Sequence, residues 1–528
     1  MRAHISPLFL LLLPQNLIFS SFAFAPNPIL VSNELEHLLV DTGGANDGGF
    51  KRAITPCTNY VEGSQLLGRE TAAQWIRVAF HDFVTADVGT GVGGLDASIG
   101  FETLRAENSG TAMNDSLTFF APFVSAQVSM ADMIALSVVM SVGGCGGPHI
   151  PLRGGRIDAT QAGVFGVPEP ETDLEQTLEE FSGAGFNQSD AIALTACGHT
   201  MGNVHHGGFP QVVPESAVTP NNTGGGVHFD VTPANFDIDV VQEYLSGTGQ
   251  RGGPLVTTDN VTVRSDLRLY TSDNNQTLQA LSQSSNYFRK ACAQLFSRMI
   301  DTVPKDVKLT TIIEPMVYKP VNVSLGLTSD SNSSLSIYLD TSSSSNDPAP
   351  TLFISYETRL GSPASHRVIA TYTPDVENNG TSIFGNTYYY RFTASIDSSA
   401  GISAYTVANT SFALRDTIFF LPDLSSAQDN GSDTWSVNIT AAALTSSNPS
   451  NVRAVLFTPT GQLGTLAPRI VTQNVTLNEI GSVGVYKIYS AVVVVETINI
   501  GGASVDIVGS FAGGREVIDE FKKLSLII

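Results

Sequence analysis

The chain of 528 residues changes character near residue 305, and this change limits the folds it can adopt. Before that point the helix signals are good. Ser129 stands where it would cap an apolar run, the segment 172–175 reads as a capping box, and Gln276–Asp301 reads as one long closing helix. After residue 320, short apolar runs such as Leu352–Tyr356 alternate with turn residues, which is typical of strands. We therefore predict a multidomain protein, with a mainly α-helical domain followed by an all-β, sandwich-like region of one or two modules.

We divide the chain into five predicted parts. They are a signal peptide (1–25), an N-terminal segment (26–49), the helical domain (50–305), a linker (306–320) and the β region (321–528). The signal peptide is predicted from a basic start, an apolar run and small residues at its end. Twelve Asn-x-Ser/Thr sequons follow it. Together these features predict a secreted glycoprotein, located outside the cell or in the cell wall.

Charge excludes some classes of partner. The formal net charge is −22 and the isoelectric point is near 4.7, which argues against nucleic acid and anionic membranes as ligands. No segment after the signal peptide is long and apolar enough to cross a bilayer, so we expect no membrane span. Tyr388, Tyr389, Tyr390 and Trp435 could stack on sugars, but aromatic residues on strands are more often core residues.

Two histidines stand in settings that suggest chemistry. Arg77 and His81 are four residues apart in a segment that reads as helix, so both side chains project from one face. A base beside a fixed cation is what cleavage of a peroxide O–O bond needs. His199 lies more than a hundred residues later and is a candidate axial ligand for a haem iron.

The order of further motifs strengthens this interpretation. Residues 50–305 resemble the superfamily of plant, fungal and bacterial haem peroxidases, in its secretory branches. The resemblance rests on Arg77–Asp82, the Gly-Gly-Leu-Asp-Ala-Ser loop, Glu107–Gly110, the stretch 150–159, the segment 196–202, Asp230–Asp237 and Arg264–Leu267.

The resemblance implies haem b as cofactor, with His199 on the iron and Asp266 on the other nitrogen of its ring. It implies Asn108 as the residue that holds His81. Phe80 and Phe229 match positions beside the haem where intracellular relatives carry tryptophan, which favours the secretory branches. Hydrogen peroxide and small organic reductants, phenols above all, are the implied substrates.

The resemblance also implies two calcium ions, because the loop after His81 and the loop after His199 offer the oxygen ligands that calcium prefers. The distal ligands would be Asp82, Gly94, Asp96 and Ser98. The proximal ligands would be Thr200, Asp230, Thr232, Asn235 and Asp237.

Four cysteines in an exported chain indicate two disulfides. Cys57 and Cys145 resemble one bridge of the family, which would leave Cys197 with Cys292. For that second pair, two buried thiols are the open alternative.

The class of reductant can be limited, because positions that match functional residues of some relatives hold other residues here. Relatives that oxidise manganese use three carboxylates, and here those positions hold Glu70, Gln74 and His205, which argues against manganese. Relatives that use an exposed tryptophan carry it five residues before the proximal histidine, where Leu194 stands. His205 and His206 otherwise read as part of a loop.

Other interpretations remain open from sequence alone. A lone histidine on a helix is more often structural than functional, although the joint order of motifs favours a site. A secreted adhesion or carbohydrate-binding protein with an inactive peroxidase-like domain is the alternative from another class, and a non-haem metalloenzyme is a second. The β region is expected to attach the protein to a cell wall or polysaccharide.

Overall fold

The computed structural model describes residues 27–59, 69–327, 333–343, 348–359, 366–374, 379–407 and 410–528, the side chains of 333–343 excepted. The predicted signal peptide lies outside these residues. Within them, the first part of the chain is helical and the second is built from antiparallel strands, as expected. No helix of the described residues is long and apolar enough to cross a membrane.

Eleven α-helices and one small two-stranded sheet form the described helical region. The helices are α1 (Pro28–Val40), α2 (Thr71–Phe83), α3 (Ala112–Phe120), α4 (Met130–Gly144), α5 (Leu174–Gly183), α6 (Gln188–Gly198), α7 (Asp239–Ser246), α8 (Pro254–Thr257), α9 (Ser265–Thr271), α10 (Gln276–Leu281) and α11 (Ser285–Asp301). The strands of the small sheet are β1 (Asn203–His205) and β2 (Gly226–His228). Helix α4 is apolar on all sides because it lies in the middle of this core.

The helix ends predicted from capping residues in the sequence contain two errors. The Ser129 side chain does cap α4, since its oxygen accepts a hydrogen bond from the Asp132 amide. Helix α5 begins one residue later than the predicted capping box, with Asp173 as its cap. The predicted closing helix is two helices, because the Ser284 side chain accepts from the Tyr287 amide and starts α11 anew.

The N-terminal segment belongs to the helical core. Val31, Leu35 and Leu39 on α1 are at most 2% exposed and pack within the same apolar cluster as α2 and α4. The predicted linker is also held against this region. The amide of Thr310 donates to the carbonyl of Gly154, and the amide of Ile313 donates to that of Leu152. Ile313 itself is buried in the helical core.

The β region consists of two sandwiches, and the core of the first also contains Phe419, Ala442 and Tyr486 from strands of the second. The first stacks the sheet β3-β4-β8-β7 on the sheet β10-β9-β5-β6. Its strands are β3 (Tyr318–Leu327), β4 (Ser333–Ser343), β5 (Thr351–Glu357), β6 (His366–Thr371), β7 (Asn379–Ser382), β8 (Gly385–Ile396), β9 (Ala404–Val407) and β10 (Thr410–Ala413).

The second sandwich stacks the sheet β11-β13-β17-β16, with β12 also paired to β13, on the sheet β15-β14-β18-β19. Its strands are β11 (Ile418–Phe420), β12 (Ser426–Gly431), β13 (Thr434–Leu444), β14 (Asn451–Thr460), β15 (Arg469–Thr476), β16 (Asn478–Val483), β17 (Tyr486–Glu496), β18 (Ser504–Ser510) and β19 (Glu516–Lys523). Tyr388, Tyr389 and Tyr390 are at most 5% exposed, so they pack in the interior and offer no sugar-stacking surface.

A buried ionic cluster joins the helical and β regions. The ammonium of Lys319 on β3 lies 2.6 Å from a carboxylate oxygen of Glu36 and 2.7 Å from one of Asp41. Asp41 also receives hydrogen bonds from Asn46 (2.6 Å) and contacts the His37 ring at 2.7 Å. The three side chains of the central triad are 6% exposed or less. The β region is therefore fixed to α1 by charges that water does not screen.

Both cysteine pairs form disulfides. Cys57 bonds to Cys145, and Cys197 bonds to Cys292. The second bridge ties the end of α6 to the middle of α11, which supports the backbone just before His199.

Candidate active site

The first wall of the site comes from α2. Arg77 and His81 both line one cavity, and the Arg77 Nε atom lies 3.2 Å from the His81 Nε2 atom. The other ring nitrogen, Nδ1, lies 2.7 Å from the side-chain oxygen of Asn108. The Asn108 amide nitrogen donates to the carbonyl of Glu102 at 3.0 Å, so its oxygen must face His81. His81 therefore carries its proton on Nδ1 and keeps a lone pair on Nε2 beside Arg77.

Electrostatics keep His81 in this neutral form. Burial, with a smaller contribution from the charge of Arg77, lowers the pKa of His81 well below its usual range. Burial and the nearby charge of Arg69 also lower the pKa of Arg77 to about 10, which still leaves it protonated at neutral pH. The wall thus presents a free base beside a fixed cation.

The opposite wall comes from the end of α6. His199 is the residue at which this helix ends, and it too lines the cavity. Its Nδ1 atom lies 2.7 Å from a carboxylate oxygen of Asp266, a residue of the first turn of α9 that is 2% exposed. The His199 ring stacks on Phe229, with centroids 4.2 Å apart and planes 6° apart. Nε2 is left without a protein partner among these contacts and is the nitrogen available to a metal in the cavity.

The space between the walls has the size and lining that a flat apolar cofactor needs. Its atom-free volume is about 1580 Å³, part of it open to solvent. Phe80, Phe181, Leu194, Phe229, Leu255 and Phe296 supply apolar lining. An imidazole held by a buried carboxylate on one side and a base with a cation on the other is the donor set of a haem site, so the described residues fit a haem.

Three of the predicted distal calcium ligands, Asp82, Asp96 and Ser98, lie together next to His81. Asp82 accepts hydrogen bonds from the backbone amides of Asp96, Ala97 and Ile99, at 2.8 to 3.0 Å. The Ser98 hydroxyl also lies 3.4 Å from Asp82. Burial and the neighbouring Asp96 raise the pKa of Asp82 well above its usual range. Two carboxyls packed this closely are stabilised as anions when a cation is present.

The proximal residues converge in the same way. The Thr200 hydroxyl donates to the carbonyl of Asp237 at 2.7 Å and lies 3.4 Å from Asp230. Thr232 and Asn235 both donate to the Asp237 carboxylate, at 3.0 and 2.7 Å. Burial raises the pKa of Asp230 to about 7. Among the described residues no group of three His, Cys, Asp or Glu side chains is clustered for metal binding, so backbone and hydroxyl oxygens would have to complete either site.

Polar residues form a rim at the cavity, and sequence reasoning missed two of them, Arg69 and Asn203. The rim consists of Arg69, Glu70, Gln74, Asn203 and His205. Asn203 donates to Glu70 at 2.5 Å and also contacts His228. His205 lines the cavity from β1, where the sequence predicted a loop, and burial lowers its pKa to about 4. The three positions Glu70, Gln74 and His205 do meet at the cavity, and they bring one carboxyl.

Comparison with known proteins agrees with the geometry. Residues 58–285 match the family described as Peroxidase. This part of the chain belongs to the superfamily of plant, fungal and bacterial haem peroxidases.

Three relatives show the range of similarity. A "WSC domain-containing protein" of Arthroderma benhamiae is 35% identical over 500 residues, which cover 93% of this chain and 66% of that protein. "L-ascorbate peroxidase 2, cytosolic" of Arabidopsis thaliana is 29% identical over 203 residues, 38% of this chain and 74% of the relative. "Versatile peroxidase VPS1" of Pleurotus eryngii is 31% identical over 209 residues, 37% of this chain and 52% of the relative. The chain thus spans about two thirds of the length of the Arthroderma benhamiae protein.

Proposed function

We propose that the chain is a secreted haem peroxidase that uses hydrogen peroxide to oxidise small phenols or similar organic donors by one-electron steps. The observation that carries this proposal is the pair of imidazoles on opposite walls of one cavity. Each has its Nδ1 atom occupied by a side-chain oxygen at 2.7 Å, which directs Nε2 to the interior. His81 also has the Arg77 guanidinium beside it.

The residues divide the work as follows. Haem b, when bound, supplies the electrons for O–O cleavage and the oxidising equivalents for the donor. His199 Nε2 would hold the iron, and Asp266 would make this imidazole a stronger electron donor. His81 Nε2 would take a proton from one peroxide oxygen and return it to the departing one. Arg77 would stabilise the negative charge that develops as the bond breaks, and Asn108 keeps the His81 lone pair on Nε2.

Two calcium ions are part of the proposal. The distal ion would be held by Asp82, Gly94, Asp96 and Ser98, next to the helix that carries His81. The proximal ion would be held by Thr200, Asp230, Thr232, Asn235 and Asp237, next to His199. Each ion would offset the mutual repulsion of the carboxylates that the fold brings together.

The donor is proposed to react at the haem edge. The rim offers one carboxyl where manganese oxidation would need three. Leu194 is 2% exposed, so no side chain at that position reaches the surface to oxidise bulky substrates. The two disulfides support export, because such bonds persist in oxidising compartments. The β region would then place the enzyme at a cell wall or polysaccharide.

The test is the absorption spectrum of the purified protein before and after hydrogen peroxide is added. We expect a haem spectrum that changes within seconds of mixing and returns when a phenol is added. His81→Ala should keep the haem and lose the fast change, and His199→Ala should lose tight haem binding. His206→Ala is the matched control, since its ring bonds to the Val213 carbonyl instead of the site.

Two results would contradict the proposal. Haem that stays spectrally unchanged with peroxide would favour an inactive peroxidase-like domain. A protein that takes up no haem but binds a metal through the histidines would favour the non-haem alternative.

A further inference from the structure

One loop of the second sandwich reaches into the helical core. It joins β14 to β15, spans residues 461–468 and is called the β14–β15 loop below. Its residue Ala467 is 2% exposed and lies in the same apolar cluster as α2 and α4. The Gln462 side chain donates to the Ala467 carbonyl at 2.9 Å, and the Ala467 amide donates to the Thr465 hydroxyl at 3.1 Å. These bonds fix the shape of the loop where it meets the helical region.

The loop packs on Gly100, in the short turn Ser98–Phe101 of the helical region. Gly100 is buried, and a Cβ atom added to it would overlap the Thr465 hydroxyl. The Cβ atom of Thr465 and the amide nitrogen of Ala467 would each lie 3.7 Å from the added atom, which is an ordinary contact distance. The φ angle of Gly100 is not in the left-handed region, so the close approach of the loop is what requires a glycine here.

The turn is bonded to the segment that carries the distal base. Asp82 directly follows His81, and its carboxylate accepts hydrogen bonds from the amides of Ala97 at 2.8 Å and Ile99 at 3.0 Å. A displacement of the turn would therefore act on the end of α2, where His81 lies.

A second connection runs through Glu102, the residue that follows the turn. Its amide donates to the carbonyl of Ile99 at 3.0 Å, and its carbonyl accepts from the side-chain nitrogen of Asn108 at 3.0 Å. The Asn108 oxygen in turn lies 2.7 Å from the His81 Nδ1 atom. The Glu102 carbonyl thus determines which way the Asn108 amide faces, and the amide determines which nitrogen of His81 keeps its lone pair.

The second sandwich can act as a fixed support because it is anchored at other places too. The Asn499 side chain donates to the carbonyl of Pro122 at 2.5 Å. The Lys523 ammonium lies 2.6 Å from a carboxylate oxygen of Glu34 on α1. With Gly100, these contacts hold the sandwich at three separate points of the helical region, so the β14–β15 loop cannot shift without breaking one of them.

We propose that the β14–β15 loop positions His81. By packing on Gly100 it holds the turn Ser98–Phe101, and through Glu102 and Asn108 it keeps the Nε2 atom of His81 directed into the cavity. Thr465 and Ala467 are positioning residues, since neither lines the cavity. This inference rests on the proposed haem-peroxidase function, and it gives the β region a part in the reaction besides locating the enzyme.

The experiment fills the space at Gly100 and then restores it, in the haem-loaded full chain. Gly100→Ala should displace the turn and slow the fast spectral change with hydrogen peroxide about 10- to 100-fold, the effect of a small misplacement of a catalytic group. Haem affinity should not change, because His199 and Asp266 lie on the opposite wall. Adding Thr465→Ala to Gly100→Ala should restore the rate, because it removes the hydroxyl that the new methyl group overlaps. Hydrogen–deuterium exchange of residues 95–108 should rise in the single variant and fall again in the double variant.

Two variants are controls. Gly461→Ala makes the same change in the β14–β15 loop itself, but its added Cβ meets only the Ile498 side chain, at 3.5 Å, so the rate should equal that of wild type. Thr465→Ala alone should also react at close to the wild-type rate, because it adds no atom to the contact. If Gly100→Ala does not fold, Ala467→Gly replaces it. This variant removes a buried methyl group from the same contact and should slow the same step.

The outcomes separate this inference from the proposed function. A Gly100→Ala variant that reacts as fast as wild type would overturn the inference. A double variant as slow as the single one would also overturn it, since the effect would then lie in the turn alone. Parallel losses of haem affinity and rate would show a general loss of stability and count against it as well. A wild type without the fast change refutes the proposed function, whereas a responsive wild type with unaffected variants refutes this inference alone.

Discussion

Replacing Lys319 with methionine should destabilise the whole protein, because it leaves two buried carboxyls without their shared cation. Glu36 is 2% exposed and Asp41 is fully buried. Among the described residues, Asp41 keeps Asn46 and His37 as partners, whereas Glu36 keeps the Met316 amide at 3.1 Å. Removing one partner of a buried pair costs about 3–5 kcal/mol. The remaining partners of Asp41 place the expected loss near the lower end of that range.

The loss should depend on pH, and Glu36 determines the direction. Burial, which outweighs the attraction of Lys319, raises the pKa of Glu36 above its usual value. A carboxyl whose folded pKa is raised takes up a proton on folding, so its penalty is absent below its usual pKa of 4.5, grows as pH rises from there to the folded pKa, and is full above that pKa. Without Lys319 this pKa rises further. The difference between variant and wild type should therefore be largest at neutral pH and shrink as the pH falls toward 4.5.

Urea unfolding followed by circular dichroism at pH 7 and pH 5 measures both effects. Lys487→Met is the control, since Lys487 pairs with Glu479 at an exposed position of the β region and should leave the midpoint unchanged. A loss below about 1 kcal/mol at pH 7, as small as for an exposed pair, would refute the reasoning, and so would a loss that does not change with pH.

Three further predictions concern the site and the boundary between regions. Asp266→Asn should retain haem but shift its spectrum and slow the response to peroxide, because the amide cannot strengthen His199 as a donor; an unchanged spectrum would exclude this role. Chelation should lower the melting temperature and activity of a calcium-loaded sample, with Asp96→Ala reproducing the distal part; no effect on long incubation would show that the loops are ordinary turns. A chain ending at Asp301 should be less soluble and melt lower than one ending at Val317, since it lacks the contacts of residues 302–313 with the helical core. Equal melting of the two chains would contradict this expectation.

The site could be predicted from sequence because its chemistry depends on short motifs. The i, i+4 spacing of Arg77 and His81 is local, and a helix converts it directly into proximity. His199 and Asp266 are 67 positions apart, and no periodicity relates them. Their pairing was expected only through resemblance to a family. Arg69 and Asn203 could not be identified, because such residues at a cavity rim carry no sequence pattern.

The contact between the helical region and the β region could not be predicted from the sequence, for a related reason. Sequence patterns report the period of one element, and Glu36, Asp41 and Lys319 are single charged residues on elements nearly 300 positions apart. From the sequence alone, each of these side chains is predicted to be exposed to solvent, since charged residues are rarely buried without a partner. Only the packing of α1 between the helical core and β3 turns them into a buried triad.

The switch in composition near residue 305 was therefore a valid sign of two architectures, but not of two independent units. The chain that follows the switch is held by the helical core up to Ile313 and by α1 at Lys319. If the β region locates the enzyme, it does so from a position fixed relative to the cavity.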